Sequence, residues 1–325
     1  MRSNKKLLSF LPLCCLLLMA ALHAAETPTA DEVDERREMV VEADRILMLG
    51  DSITWAGSYV TDIDLWLRTQ DWVGEMPLVI NTGLSSETVS GLTEEGHAGG
   101  KFPRPDLATR IDSVLATTKP DLVFACYGMN CGIYKPLDEQ RFASYKAGIR
   151  MVQAKVNAAG AKLILVTPPY FDDQVAKKDF SYNAVLDAYS DWLVTLREEG
   201  QPVIDLHDSM QAEVESRRKS DPQFTFQKDS IHPDSAGHWA MAQPIIRWFG
   251  DEESANAESP AAMLIEVENA DKVVGLAHQR MSVLRNAYLT AAGHDRPGVP
   301  EGKAVEDAEK EAEKLNEQLN AALKQ

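Results

Sequence analysis

Two short stretches of this sequence carry side chains suited to covalent chemistry. One is "LMLGDSITWAG", residues 47–57, where an apolar run stops at Gly50, Asp51 and Ser52. The other is "KDSIHPDSAGH", where His232 follows Asp229 by three residues. A serine hydroxyl is a weak nucleophile at neutral pH. It needs a base, usually histidine, and the base needs an acid to orient it. Three residues make about one turn, so the Asp229 carboxylate can reach one nitrogen of the His232 ring and leave the other to face a serine. Beyond residue 24 the other histidines lack this arrangement: His97 lies in a glycine-rich loop, His207 follows an apolar run, His238 and His278 fall in helical patterns, and His294 is in a loop near the C-terminus. The chemistry open to Ser52, His232 and Asp229 is acyl transfer through a serine ester, which also requires N–H donors for the developing oxyanion. Ser52 can offer its own backbone N–H, Gly83 in "INTGLSS" its backbone, and Asn130 in "CYGMNC" its side-chain amide. Each residue taken singly also reads as a turn or a helix cap. Together, in the chain order Ser, Asp, His, they read as a site.

Such a site needs rigid elements to bring distant residues together. Five short runs rich in Leu, Val and Ile fit buried parallel strands: "RILMLG", "PLVINTG", "DLVFACYG", "KLILVTPP" and "PVIDL". Longer amphipathic segments between them read as helices, several ending in glycine, as at Gly160, Gly200 and Gly250. The alternation predicts an α/β fold, with a five-stranded parallel sheet between helical layers. In such sheets ligands bind beyond the carboxyl ends of the strands, which is where "GDS", "NTG" and "YGMN" fall.

These residues give the chain a resemblance to the SGNH hydrolases, or GDSL-type esterases. The four blocks correspond to Ser52 in "GDSIT", Gly83 in "NTG", Asn130 in "GMN" and His232 in "DSIH", across residues 44–250. The resemblance implies a three-layer α/β/α sandwich and ester hydrolysis. Ser52 would be the nucleophile, Asp229 would orient His232, and Ser52, Gly83 and Asn130 would form the oxyanion hole. It implies neither a metal nor a cofactor. Two positions depart from the family pattern: Cys131 stands where an Asp usually follows the Asn, and Ser86 where a second Gly is common. The block around Ser52 also lacks the second glycine of the G-x-S-x-G elbow, unlike an ordinary α/β-hydrolase.

The chain has 325 residues, 44% of them hydrophobic, and a formal charge of -17. That charge argues against nucleic acid or an anionic membrane surface as partner. Arg2, Lys5 and Lys6 precede the apolar run "LLSFLPLCCLLLMAAL" and a small-residue site, the pattern of a cleaved export signal over residues 1–24. Its removal takes away three cations and no acid, lowering the charge to -20. Only Cys126 and Cys131 then remain, too few for a disulfide framework or a four-thiolate zinc site. Their positions on either side of Asn130 leave open a disulfide or two separate thiols. The expected layout continues with a flexible leader over residues 25–43, the catalytic domain over 44–250, a polar linker over 251–260 and a helical hairpin over 261–325.

In the hairpin Met263, Val267, Ala270, Val274, Ala277, Met281, Leu284 and Tyr288 form one seam, and Val305, Ala308, Ala312, Leu315, Leu319 and Ala322 another. Val273, Leu276 and Val283 widen the first stripe. The hairpin is therefore expected to dock on the catalytic domain, the rival being an exposed dimerising coiled coil. An acidic surface and the absence of an evident apolar lid favour small polar substrates, with O-acetyl esters of carbohydrates foremost. The alternatives are lipid or thioester acyl groups, or a non-catalytic carbohydrate-binding protein that kept the fold. Trp55, Tyr127, Tyr134 and Tyr170, at or just after strand ends, are candidates for stacking on sugar rings or for ordinary packing.

Overall fold

The computed structural model of the chain describes residues 28–265 and 267–324. The expected export signal lies outside them. The five apolar runs form five strands: β1 (Arg45–Gly50), β2 (Leu78–Asn81), β3 (Leu122–Cys126), β4 (Lys162–Val166) and β5 (Val203–Ile204). They pair in parallel in the order β2-β1-β3-β4-β5. Leu47, for example, lies between Ile80 and Val123. Consecutive side chains of β1 point to opposite faces, and Ile46, Leu47, Met48 and Leu49 are all buried, so helices cover both faces.

The first helix corrects an expectation. Residues 30–41 are no loose leader: Ala30–Val41 form helix α1. Thr29 and Glu32 cap one another reciprocally at its start. The Arg36 and Arg37 guanidiniums donate to the carbonyls of Trp248 and Phe249 at 3.0 and 2.9 Å, and Val40 is buried. These tertiary contacts hold a helix whose polar sequence has little apolar stripe. The chain continues through α2 (Ser52–Ala56), α3 (Ser58–Arg68), α4 (Ile111–Thr118), α5 (Glu139–Ala158), α6 (Asp173–Ala176), α7 (Asn183–Thr195), α8 (His207–Arg218) and α9 (Ser235–Trp248). The polar segment after it is packed rather than free. It contains α10 (Glu252–Ala255), and Asp251 accepts the Trp66 indole N–H at 2.8 Å. α11 (Pro260–Met263) follows.

The tail forms α12 (Ala270–Ala292) and α13 (Val305–Ala322). The expected first seam began at Met263, but left-handed Asn269 (φ 60°) separates that turn from α12. Gly302 N–H donates to Thr290 Oγ1 at 2.8 Å and Tyr288 hydroxyl to Glu309 at 2.5 Å, contacts that run the two helices antiparallel. α13 buries Ala308, Ala312, Leu315 and Leu319, its own seam. α12 also packs on α3, α4 and β2, with Val273, Ala277, Met281 and Leu284 buried. Asp64, fully buried, ties the two parts together by accepting from Arg68 Nε at 3.1 Å and Arg280 Nη1 at 3.3 Å. The hairpin is docked, as its wide stripe required.

Another acid on α3 has no such compensation. Asp62 is 2% exposed, and burial pushes its carboxyl up to about 8. The unfolded chain releases that proton near pH ~3.9. Between these values the folded state binds more protons, so this group's contribution to stability falls as pH rises. Asp62→Asn is therefore expected to raise the melting temperature at pH 8 and to flatten its decline between pH 6 and 8. Thermal melts of both proteins check this; parallel pH profiles would contradict it.

Candidate active site

Ser52 sits at the carboxyl end of β1, where the sheet order reverses direction between β2 and β3. Asp51 caps α2 by accepting the Ile53 N–H at 3.0 Å. Burial pushes the Asp51 carboxyl up to about 6, against the lowering effects of that N–H and of nearby His232 and Arg104. Two glycines let the backbone close around this turn. A Cβ on Gly50 would lie 2.0 Å from Thr54 Oγ1, and one on Gly83 would lie 2.4 Å from Trp55 N. Asn81 Nδ2 donates to the Thr54 carbonyl at 2.5 Å and so pins α2 to the end of β2.

His232 arrives from the loop before α9. Ser230 takes a left-handed backbone (φ 76°), turning the chain so that Asp229 faces forward. Asp229 Oδ1 accepts the backbone N–H groups of Ile231 and His232 at 3.0 and 2.8 Å, while Oδ2 lies 2.7 Å from His232 Nδ1. The Ser230 carbonyl accepts the Asp172 N–H at 3.0 Å, which anchors this turn to the segment after β4. Partial burial pushes the Asp229 carboxyl up, but these hydrogen bonds outweigh it and hold the group below the usual carboxylate range. An ionised carboxylate only accepts, so Nδ1 carries the ring proton and Nε2 is the acceptor. Nε2 lies 2.8 Å from Ser52 Oγ. The structure thus joins Ser52, His232 and Asp229 in one hydrogen-bonded chain across 180 residues. The ring and the acid are exposed and Ser52 is half-buried, so the hydroxyl is accessible from outside.

Asn130 is buried beside this chain. Its Oδ1 accepts from Arg104 Nη1 and the Tyr134 hydroxyl, each at 2.9 Å. This fixes the amide so that Nδ2 is the donor end, of which one N–H reaches the Glu87 carbonyl at 3.3 Å. Among the described residues the second N–H has no partner. Gly83 corrects the sequence reading. Its N–H donates to Asn81 Oδ1 at 2.8 Å, and its missing side chain is explained by the backbone of α2 pressed against it. Three residues on, Ser86 takes the left-handed conformation (φ 69°) that glycine adopts more readily. Arg104 Nη1 also donates to the Ser86 carbonyl at 3.3 Å, so one guanidinium links Ser86 and Asn130. Glu94 holds that guanidinium with bonds of 2.6 and 2.7 Å.

The GDSL-like lipase/acylhydrolase family matches residues 48–240, more than half of the chain. The chain belongs to that family. No curated protein matches it. Among solved structures it is similar to a gut microbial diltiazem-metabolizing enzyme, at 23% identity and a TM-score of 0.52, with 64% of this chain and 47% of that one covered. The chain therefore spans about half the length of that relative. It is also similar to an alpha/beta hydrolase enzyme from the metagenome of Lake Arreo, Spain, at 22% identity, a TM-score of 0.48 and coverage of 65% and 96%. A third neighbour is Axe2, an acetylxylan esterase from Geobacillus stearothermophilus, at 21% identity, a TM-score of 0.48 and coverage of 64% and 94%.

Within this GDSL-family framework the two departures have local explanations. At Ser86 the loop keeps the glycine-like backbone despite its side chain. Cys131 is fully buried, and burial pushes its thiol up to about 12. Its carbonyl accepts the Ser90 hydroxyl at 3.1 Å. Both cysteines are free, and Cys126 Sγ instead lies 3.6 Å from the Thr167 carbonyl. The aromatic candidates divide. Tyr127 is a core residue, its hydroxyl donating to buried Glu87 at 2.6 Å, and Tyr170 is buried as well. Tyr134 and Trp55 keep partial exposure. Tyr134 was named in the sequence for its ring rather than its hydroxyl, and Arg104 and Glu94 carry no local signal, because Arg104 lies 26 residues from the Asn130 amide it holds.

Proposed function

We propose that this GDSL-family protein is an exported serine esterase that removes small acyl groups, O-acetyl foremost, from carbohydrate esters. The observation that carries the esterase mechanism is the Ser52–His232–Asp229 chain, with contacts of 2.8 and 2.7 Å. In this reading Ser52 Oγ attacks the ester carbonyl while His232 Nε2 takes its proton. The tetrahedral oxyanion is met by the free N–H of Asn130 Nδ2 and by the backbone N–H groups of Ser52 and Ser86. The C–O bond to the alcohol breaks, and His232 returns the proton to the leaving oxygen. Water then attacks acyl-Ser52 with His232 as base, releasing the acid and restoring the serine. Asp229 holds the imidazole in the required tautomer and balances its charge when protonated. No step calls for a metal or cofactor.

The choice of a small polar substrate rests on the surroundings of Asn130. The partly exposed Glu94 carboxylate and the partly exposed Tyr134 and Trp55 rings suit a sugar better than a long acyl chain. Export rests on the sequence of residues 1–24. A panel of acetylated sugars and of esters with increasing acyl length tests the substrate reading. kcat/KM is expected to be highest for acetyl esters and to fall with each added methylene. A steady rise with acyl length would replace this reading with a lipid or thioester acylhydrolase.

A further inference from the structure

The family match ends at residue 240, yet a side chain from α12 reaches the helix that begins at Ser52. We propose that Arg285 is a positioning residue for Ser52, acting through the C-terminal end of α2. The inference rests on Ser52 being the nucleophile.

α2 has five residues. A helix this short has no stability of its own, and its last carbonyls lack intrahelical partners. Three groups supply them. Gly57 N–H donates to the Ile53 carbonyl at 3.3 Å. Asn81 Nδ2 serves Thr54, and Arg285 Nη1 donates to the Trp55 carbonyl at 2.7 Å. Arg285 is the cation of the set, the charge a helix C-terminus favours. Its guanidinium also lies 4.5 Å from the Trp55 ring centre, gripping both the backbone and the side chain of one residue. Nε and Nη2 donate to Asn286 Oδ1, both at 3.1 Å, which fixes the direction of the fork. Among the described residues no carboxylate pairs with Arg285. A partly buried cation left without one is costly; here its hydrogen bonds go to the Trp55 carbonyl and to Asn286 Oδ1. A second arginine of the tail grips the neighbouring loop: Arg296 Nε donates to the Ser85 carbonyl at 3.2 Å, one residue before Ser86.

α12 does not depend on Arg285 for docking. Arg280 with Asp64, the Ser113 hydroxyl on the Ala292 carbonyl at 2.6 Å, and the buried apolar face hold it in place. Loss of Arg285 should therefore free the end of α2 while the hairpin stays put, and displace Ser52 Oγ from His232.

The test uses the full-length protein and three variants: Arg285→Met, which keeps much of the packing, Arg285→Lys, which keeps a cationic donor, and Ser52→Ala. Steady-state kcat and KM on p-nitrophenyl acetate, the rate of labelling by a fluorophosphonate, and the melting temperature are measured. In Arg285→Met, kcat and the labelling rate are expected to fall together by about tenfold to a hundredfold, with KM unchanged. Arg285→Lys should recover part of both. Wild-type kcat in Arg285→Met, or an effect confined to KM or to melting temperature, would overturn the proposal. If Arg285→Met does not fold, wild-type stability with reduced kcat in Arg285→Lys supports it, and wild-type kcat there overturns it. Turnover by Ser52→Ala would instead remove the nucleophile reading. An inert Ser52→Ala beside a fully active Arg285→Met removes the positioning role alone.

Discussion

Ser52→Ala is expected to abolish ester cleavage while leaving the fold and the melting temperature close to those of the wild type. The side chain is half-buried at a helix start, and among the described residues its hydroxyl bonds to His232 Nε2 alone. Asp51 caps α2 in its place, so alanine removes no cap. The proposed oxyanion donors survive the substitution, because the backbone N–H and Asn130 are untouched. They would give the variant only the residual acceleration of a binding site without a nucleophile, and a loss of roughly 10^6 in kcat is the scale for such sites. Assays at high enzyme concentration, with circular dichroism as the folding control, measure it. Turnover within a factor of ten of the wild type would mean that another group attacks the ester.

Asp229→Asn is expected to cost on the order of 10^4 in kcat, the effect of the corresponding change in a serine protease triad. The reason lies in the direction of one proton. Asn at this position can still accept the Ile231 and His232 backbone N–H groups through one oxygen, as Asp229 Oδ1 does at 3.0 and 2.8 Å, so the turn persists. The other atom becomes an NH2 donor facing Nδ1. The imidazole proton then moves to Nε2, which can no longer accept from Ser52. Hydrogen bonds from the ring and backbone outweigh partial burial and hold the Asp229 carboxyl below its usual range, so the wild-type acid is ionised at neutral pH. A fall in kcat without loss of melting temperature identifies the tautomer effect. Near wild-type kcat in the variant would show that His232 is oriented without the carboxylate.

Much of this arrangement was written locally. The strand runs were legible because each is a short apolar block closed by Gly, Asn or Pro, and "GDS" and "DSIH" because their spacing is shorter than one helical turn. Gly83 misled for a physical reason: a glycine at a strand end fits either a donor or a close backbone contact. Only the position of Asn81 Oδ1 decides between them. Ser86 was marked only by standing where the family often has glycine, since serine itself does not advertise a left-handed backbone. Arg104 and Arg285 were invisible because the groups they hold at the site, the Asn130 amide and the Trp55 carbonyl, lie 26 and 230 residues away. The leader helix did carry a readable mark, Thr29 and Glu32 at capping-box spacing, but its lack of an apolar stripe outweighed it. Its docking depends on arginine bonds to residues 212 positions away.

The central claim is that Ser52 carries the acyl group. Incubating the full-length protein with a fluorophosphonate, digesting it and mapping the modified peptide by mass spectrometry tests this directly, because the probe reports a nucleophile whatever the natural ester is. Stoichiometric modification of Ser52 is expected, absent in Ser52→Ala and strongly slowed in Asp229→Asn. An unmodified Ser52, or label on a different residue at equal rate, would contradict it.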